Sequence, residues 1–389
     1  MTKKIMKSIK NALISTGNNS ETKLVSILFD EKIRKISETE IEDQVDEEID
    51  LKGKLLIPGC IDAHVHFNDP GFNHHEDFLS GTTAAAYGGI TTIIDMPCTS
   101  IPPVTNKKNL YQKFKIIQSK ALIDFAFWGG IRRNDFPLSE EKVKELWKEG
   151  VVGFKIYTIS GMETFSALTY KDIEQVFRQF PEMLFAFHAE DVNIIQKAIN
   201  SFSKEELKLP ENYVKIRPVE AEIEAVRQIL EIAESNKIHF VHISTKIAAE
   251  LILKYKKNIN VTFETCPHFL EFTANDYQKL LGRLKTAPPV KFEEDKKYLR
   301  KLLKKGEIDF ITTDHAGCDF ETEKKLKDFS KVYSGIPGTE LMIPYLFSEF
   351  YLNEKVPLST MIKMTSENAA GRFGFYPQKG SLEIGTDAD

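Results

Sequence analysis

Eight apolar runs, separated by polar loops and amphipathic stretches, constrain this chain more than any other feature. They read LLIPGCIDAHVHF, ITTIIDMP, IDFAFWGGI, VVGFKIYT, LFAFHAE, HFVHIST, VTFETCPH and IDFITTDHA. Between them, SEEKVKELWKEG, TYKDIEQVFRQF and EAEIEAVRQILEIAESNK place apolar residues at helical spacing opposite charged faces. Strand-length runs alternating with helical ones predict parallel strands joined by helices. Eight such units fit an α/β fold, the (β/α)8 TIM barrel, whose single domain takes about 250 residues. The expected barrel spans residues 58–372. A hydrophobic content of 42% supplies its core and argues against disorder.

Residues 1–57 carry another pattern: KNALIST, KLVSILFDEKIRKI and KLLIP read as short strands, with TGNNSET and DEEIDLKGK as polar connectors. This segment is expected to form a small β-sandwich domain with the chain's C-terminal end, 373–389. The final FGFYPQKGSLEIGTDAD runs through a glycine-rich turn that ought to lead into another strand, so that β unit is expected to be incomplete, possible truncation included.

Charge and cysteine usage exclude several classes. A net charge of -5, with lysines interleaved among acids, offers no field for a polyanion, so nucleic acid is not an expected partner. Cys60, Cys98, Cys266 and Cys318 form no CxxC pair, which predicts neither a disulfide framework nor a cysteine zinc site but core or pocket-wall thiols. The basic start MTKKIMKSIKNALIST has no apolar region of signal-peptide length, and no stretch approaches the roughly 20 apolar residues of a membrane span. A cytoplasmic protein without a membrane partner is expected.

Polar residues on the apolar runs carry the chemistry. Catalytic side chains of such barrels sit at the carboxyl ends of the strands. His64 and His66 end the first run, Lys155 is placed late in the fourth, His188 ends the fifth, His242 falls in the sixth and Asp314 ends the eighth. Strand residues two apart share a face, so His64 and His66 are spaced to chelate one metal ion. Lys155 is a cation in a buried strand, costly without a partner. Asp314 is the expected general base and acid. His239 and His315 are read as structural or packing residues, and His268, beside Pro267, as a loop residue. His74 and His75 belong to the loop after the first strand, either lining the pocket or exposed.

The motifs PGCIDAHVHFNDPG, GGITTIIDMP, GVVGFKIY, FHAE, VHIST, ETCPHF, APPV, TTDHA and KGSLEIGTDAD resemble those of the cyclic amidohydrolases, the group of dihydroorotase, allantoinase and hydantoinase, over nearly the whole chain. The resemblance implies two divalent metal ions, zinc first among them: one held by His64, His66 and Asp314, the other by His188 and His242. It also implies that Lys155 is N6-carboxylated, its carbamate bridging both ions. The implied reaction opens a cyclic ureide, a small-molecule substrate, and family members commonly form homo-oligomers, dimers or tetramers.

Substrate choice turns on departures from the family pattern. Dihydroorotases carry an arginine where Asn68 stands, and asparagines at the places of Cys98 and Ala287; hydantoinases place a tyrosine where Ser160 stands. The segments HVHFNDPG, SIPP (Ser100 to Pro103), FWGG (Phe127 to Gly130) and YPQKG resemble allantoinases. The loop SGIPGTE, Ser334 to Glu340, resembles dihydroorotases instead. Asn68, Ser160, Ala287 and Gly335 are the expected substrate-contact positions. Hydrolysis of allantoin to allantoate leads; dihydroorotase, then hydantoinase or dihydropyrimidinase, are the alternatives. A catalytically silent scaffold relative would be expected to lose ligands, whereas all six positions are occupied here.

Overall fold

In the computed structural model, which describes residues 5–17 and 21–389, each of the eight apolar runs contributes a strand or strand pair. The strands are β5 (Cys60–His66), β6 (Ile90–Asp95), β7 (Asp124–Phe127) with β8 (Gly129–Gly130), β9 (Phe154–Tyr157), β10 (Leu184–His188), β11 (Lys237–Phe240), β12 (Val261–Thr265), and β13 (Phe310–Ile311) with β14 (His315–Ala316). They form two parallel sheets, ordered β14-β5-β6-β7 and β13-β12-β11-β10-β9-β8. The architecture is therefore α/β with parallel pairing. Helices Phe78–Tyr87, Lys107–Ile117, Glu140–Lys148, Tyr170–Gln179, Val219–Ile232, Lys246–Tyr255 and Glu293–Lys305 fall between the strands.

Local chemistry explains why the amphipathic stretches stop and start where they do. Ser139 and Thr169 precede their helices and accept from the backbone N–H groups of Lys142 and Asp172; Asp172 returns the bond to Thr169, a reciprocal cap. Ile173, Val176 and Phe177 then recur at helical spacing and are buried.

Strand alternation sorts the side chains. In β9, Phe154 and Ile156 join the large apolar cluster packed with the helices, leaving Lys155 and Tyr157 for the opposite face. Likewise Phe185 and Phe187 of β10, Ile238 and Phe240 of β11, and Val261 and Phe263 of β12 take the helix side. His188, His239 and Glu264 are thereby turned the other way. A second cluster, with Ile61, Ala63, Ile94, Trp128, Ala186 and Phe310, draws on strands of both sheets. In β5 the register slips between Asp62 and Val65, a bulge opposite Ile93 to Asp95. Ile61 and Ala63 face the second cluster, Val65 the first, and the bulge re-aims the strand's last turns of side chain.

The N-terminal strands are β1 (Lys7–Ser15), β2 (Thr22–Phe29), β3 (Ile33–Ser37) and β4 (Glu47–Asp50), in one sheet ordered β3-β2-β1-β4. Three expectations are corrected. KLVSILFDEKIRKI is two antiparallel strands, because Asp30 accepts from Lys32 N–H and turns the chain. The expected connector DEEIDLKGK contains β4, which pairs parallel with β1. KLLIP forms only a bridge, Leu55 to Leu13. Part of TGNNSET, residues 18–20, and the basic start at 1–4 lie outside the described residues. The chain's end returns to this sheet: Ile33 N–H donates to Thr386 O, Gly385 N–H to Ile33 O, and Ala388 N–H to Glu31 O.

Candidate metal centre

The inward side chains of β5, β9 and β10 meet those of the segments after β11 and β13. Nε2 of His64 lies 3.2 Å from Nε2 of His66, and Asp314 Oδ1 lies 3.1 Å and 3.2 Å from these nitrogens. Three candidate ligand atoms thus converge on one point; burial holds the His64 imidazole well below its usual range, while against burial the neighbouring Cys98 and Asp314 push His66 up to about 10. Beside them, Nδ1 of His188 faces Nε2 of His242 at 2.9 Å, and burial lowers both imidazoles as well. The His64 and His242 rings are 5.4 Å apart, centroid to centroid, so the two sets are contiguous. Lys155 is fully buried with no hydrogen-bond partner for Nζ, and burial pulls its ammonium down to about 8 against the attraction of Asp314 and Glu264.

Three placements differ from those expected. Lys155 is the second residue of β9, not a late one. His242 lies two residues beyond β11, and Asp314 lies between β13 and β14. Both adopt positive φ, 42° and 49°, a region that costs non-glycine residues on the order of 1–3 kcal/mol. Such strain is what aims a short side chain back into a site from the end of a strand.

The cluster opens into a cavity of about 630 Å³ that all four expected substrate-contact residues, Asn68, Ser160, Ala287 and Gly335, help to line. His66, His188, His242 and Asp314 line it too. His75 reaches its wall, stacked on Tyr333 and bonded to Glu323, while His74 is exposed. His315 points to Glu76 at 2.7 Å, and His268 occupies the first turn of the short helix Pro267–Glu271, correcting the loop expected there. Cys98 is a pocket-wall thiol, and Cys60 and Cys266 are buried, all free.

Sequence reasoning passed over two carboxylates. Glu264, buried in β12, lies 2.6 Å from His64 Nδ1 and 3.0 Å from His239 Nε2. Glu190 lies 3.1 Å from His188 Nε2 and pairs with Arg217, whose guanidinium reaches the cavity wall. Each carboxylate engages the ring nitrogen opposite the one that faces the cluster, which fixes the tautomer of a metal-ligating histidine. The signal was a glutamate amid the apolar residues of VTFET and of FHAE.

A site of this donor set on parallel strands defines a metal-type hydrolase of the α/β class. The model of the amidohydrolase family matches residues 55–389, and the chain belongs to that family. It is 34% identical to the allantoinase of Deinococcus radiodurans over 88% of this chain and 76% of that enzyme. It is equally 34% identical to the dihydroorotase of Methanosarcina acetivorans over 98% of this chain and 82% of that one. Among solved structures, the L-hydantoinase (dihydropyrimidinase) of Arthrobacter aurescens superposes with a TM-score of 0.92 at 28% identity, over 98% of this chain and 85% of its own. No helix among the described residues is long and apolar enough to cross a membrane.

Proposed function

We propose that the chain opens a neutral cyclic ureide, allantoin to allantoate, at a site for two divalent ions. The charge of the cavity wall carries the substrate reading. Among the described lining residues, Arg217 is the one ammonium or guanidinium side chain, and Glu190 already neutralises it. Asn68, Cys98 and Ala287 add no cation, so a ring-borne carboxylate meets no free partner there.

The residues fit the ions. His64, His66 and Asp314 suit one, His188 and His242 the other; Lys155 Nζ is buried without a partner, a cost that modification would explain. As a free amine it would add to carbon dioxide, forming an N–C bond and losing a proton, and the resulting carbamate would offer anionic oxygens as further metal ligands. Divalent ions held there, zinc for this nitrogen and oxygen set, supply Lewis acidity to a ring carbonyl and to a water. Asp314 accepts the proton given up as water adds to the carbonyl carbon, and returns it to the ring nitrogen as the C–N bond breaks. The product is a ureido acid.

The scaffold we assign to this chemistry is a (β/α)8 barrel over 58–372. Its support is pairing: β7 and β8 are separated only by Trp128 and pair to opposite sides, and β13 and β14 do the same three residues apart. The small domain of 1–57 and 373–389 is a sandwich in this reading, its second layer supplied by Leu51, Leu56, Leu382 and Ala388 packed over Ala12, Ile14, Val25 and Ile27.

A dihydroorotase reading has one observation in its favour: Ser334 and Gly335, from the loop that resembles that enzyme's, border the cavity. Incubating zinc-loaded protein with allantoin, dihydroorotate, hydantoin and dihydrouracil separates the readings. Allantoin is expected to turn over fastest; turnover of dihydroorotate alone would overturn the first reading.

A further inference from the structure

We propose that Tyr157 is a catalytic residue, its phenol donating a hydrogen bond to the carbonyl oxygen of the ring as the carbonyl carbon becomes tetrahedral. The inference deepens the reading above and rests on it. Tyr157 ends β9 on the same face as Lys155 and lines the cavity. Its ring stacks on His188 at 5.2 Å and 23°, and meets the edge of Phe165 at 5.5 Å, so its direction is set by packing on both sides. Its hydroxyl lies 3.2 Å from Cys98 Sγ, and that sulfur lies 3.6 Å from His66 Nδ1. The phenol therefore stands between a histidine of one ligand set and a histidine of the other, where a carbonyl presented to both must lie.

The sulfur partner is the second observation. Either the phenol or the thiol can donate in that contact, and sulfur is weak in both roles, so turning the phenol hydrogen to a better acceptor costs little. Thr99 Oγ1, within 3.4 Å of His66 Nδ1, is already engaged with a ligand histidine. A fixed donor aimed where negative charge develops acts on the transition state more than on the bound ring.

The test is Tyr157→Phe in the full-length, metal-loaded protein, which keeps the ring and its stacking. Expected are a fall in kcat on the order of 10²-fold, KM within about threefold, and unchanged metal content and Tm. A tetrahedral phosphonamidate analogue of the ring should lose affinity by the same factor as kcat/KM, while the ring-opened product binds as before. Wild-type kcat in the variant overturns the proposal, as does equal weakening of analogue and product, or loss of metal that accounts for the lost rate. Failure of the wild-type protein to open any of the rings strikes the functional reading itself and is distinguished by that control.

Discussion

At the scale of single residues, the proposed metal centre depends on the carboxylates that hydrogen-bond its histidines, Glu264 and Glu190, as much as on the histidines themselves. Glu264→Gln keeps the shape but removes the charge that orients His64 through Nδ1. It is expected to weaken zinc binding by about 10–100-fold, measured by competition with a chelator, with the fold retained by circular dichroism. A second carboxylate tests electrostatics away from the ligands. Glu222 is buried, receives Ser244 N–H and Oγ–H on one oxygen and leaves the other unpartnered; burial pushes its carboxyl up to about 7, against the pull of Lys291. A raised folded-state pKa means stability present below the unfolded value and lost as pH rises through 4.5 towards 7. Glu222→Gln removes that loss. Its unfolding free energy relative to wild type should rise across this window and stay level above it, by up to about 3 kcal/mol; a pH-independent difference would contradict the assignment. The candidate ligands were visible in the sequence because histidines and a lysine stand out in apolar runs. Glu264 and Glu190 were not, since a glutamate is ordinary until its burial is known.

At the scale of elements, strand identity was legible and strand ends were not. Position along the apolar runs put Lys155 and His188 on strands, but it offers no hint that the chain leaves β11 before His242 and interrupts the last strand at Asp314. Those departures follow from backbone conformation, φ of 42° and 49°, and from a bulge in β5, neither of which has a residue signature here. Close approach between elements has one instead. Gly153 precedes β9, and a methyl group there would lie 2.6 Å from Trp128 and 2.7 Å from the carbonyl of Leu184. Gly153→Ala is expected to cost about 1–3 kcal/mol in denaturant unfolding, with a shifted tryptophan emission, because Trp128 must move to admit it. Emission and midpoint both unchanged would show that the contact is slack.

At the scale of the whole molecule, the repeated cadence of 55–316 made the α/β architecture readable, because each unit has the same period and the same hydrophobic face. The small N-terminal sheet was less so: its strands are short, one lies in the acidic segment Glu47–Asp50, and its far edge is completed by residues more than 340 positions away in sequence, Gly385 to Ala388 with Glu31 and Ile33. Long-range pairings of that kind leave no local trace. At every scale the proposed centre for two ions is the same six side chains, carried on or just beyond five strands, β5, β9, β10, β11 and β13. The direct measurement is titration of metal-free protein with zinc in bicarbonate buffer while following the opening of allantoin. The rate is expected to rise to a plateau at two equivalents per chain; a plateau at one equivalent, or no ring opening with two ions bound, would contradict a two-ion hydrolytic centre.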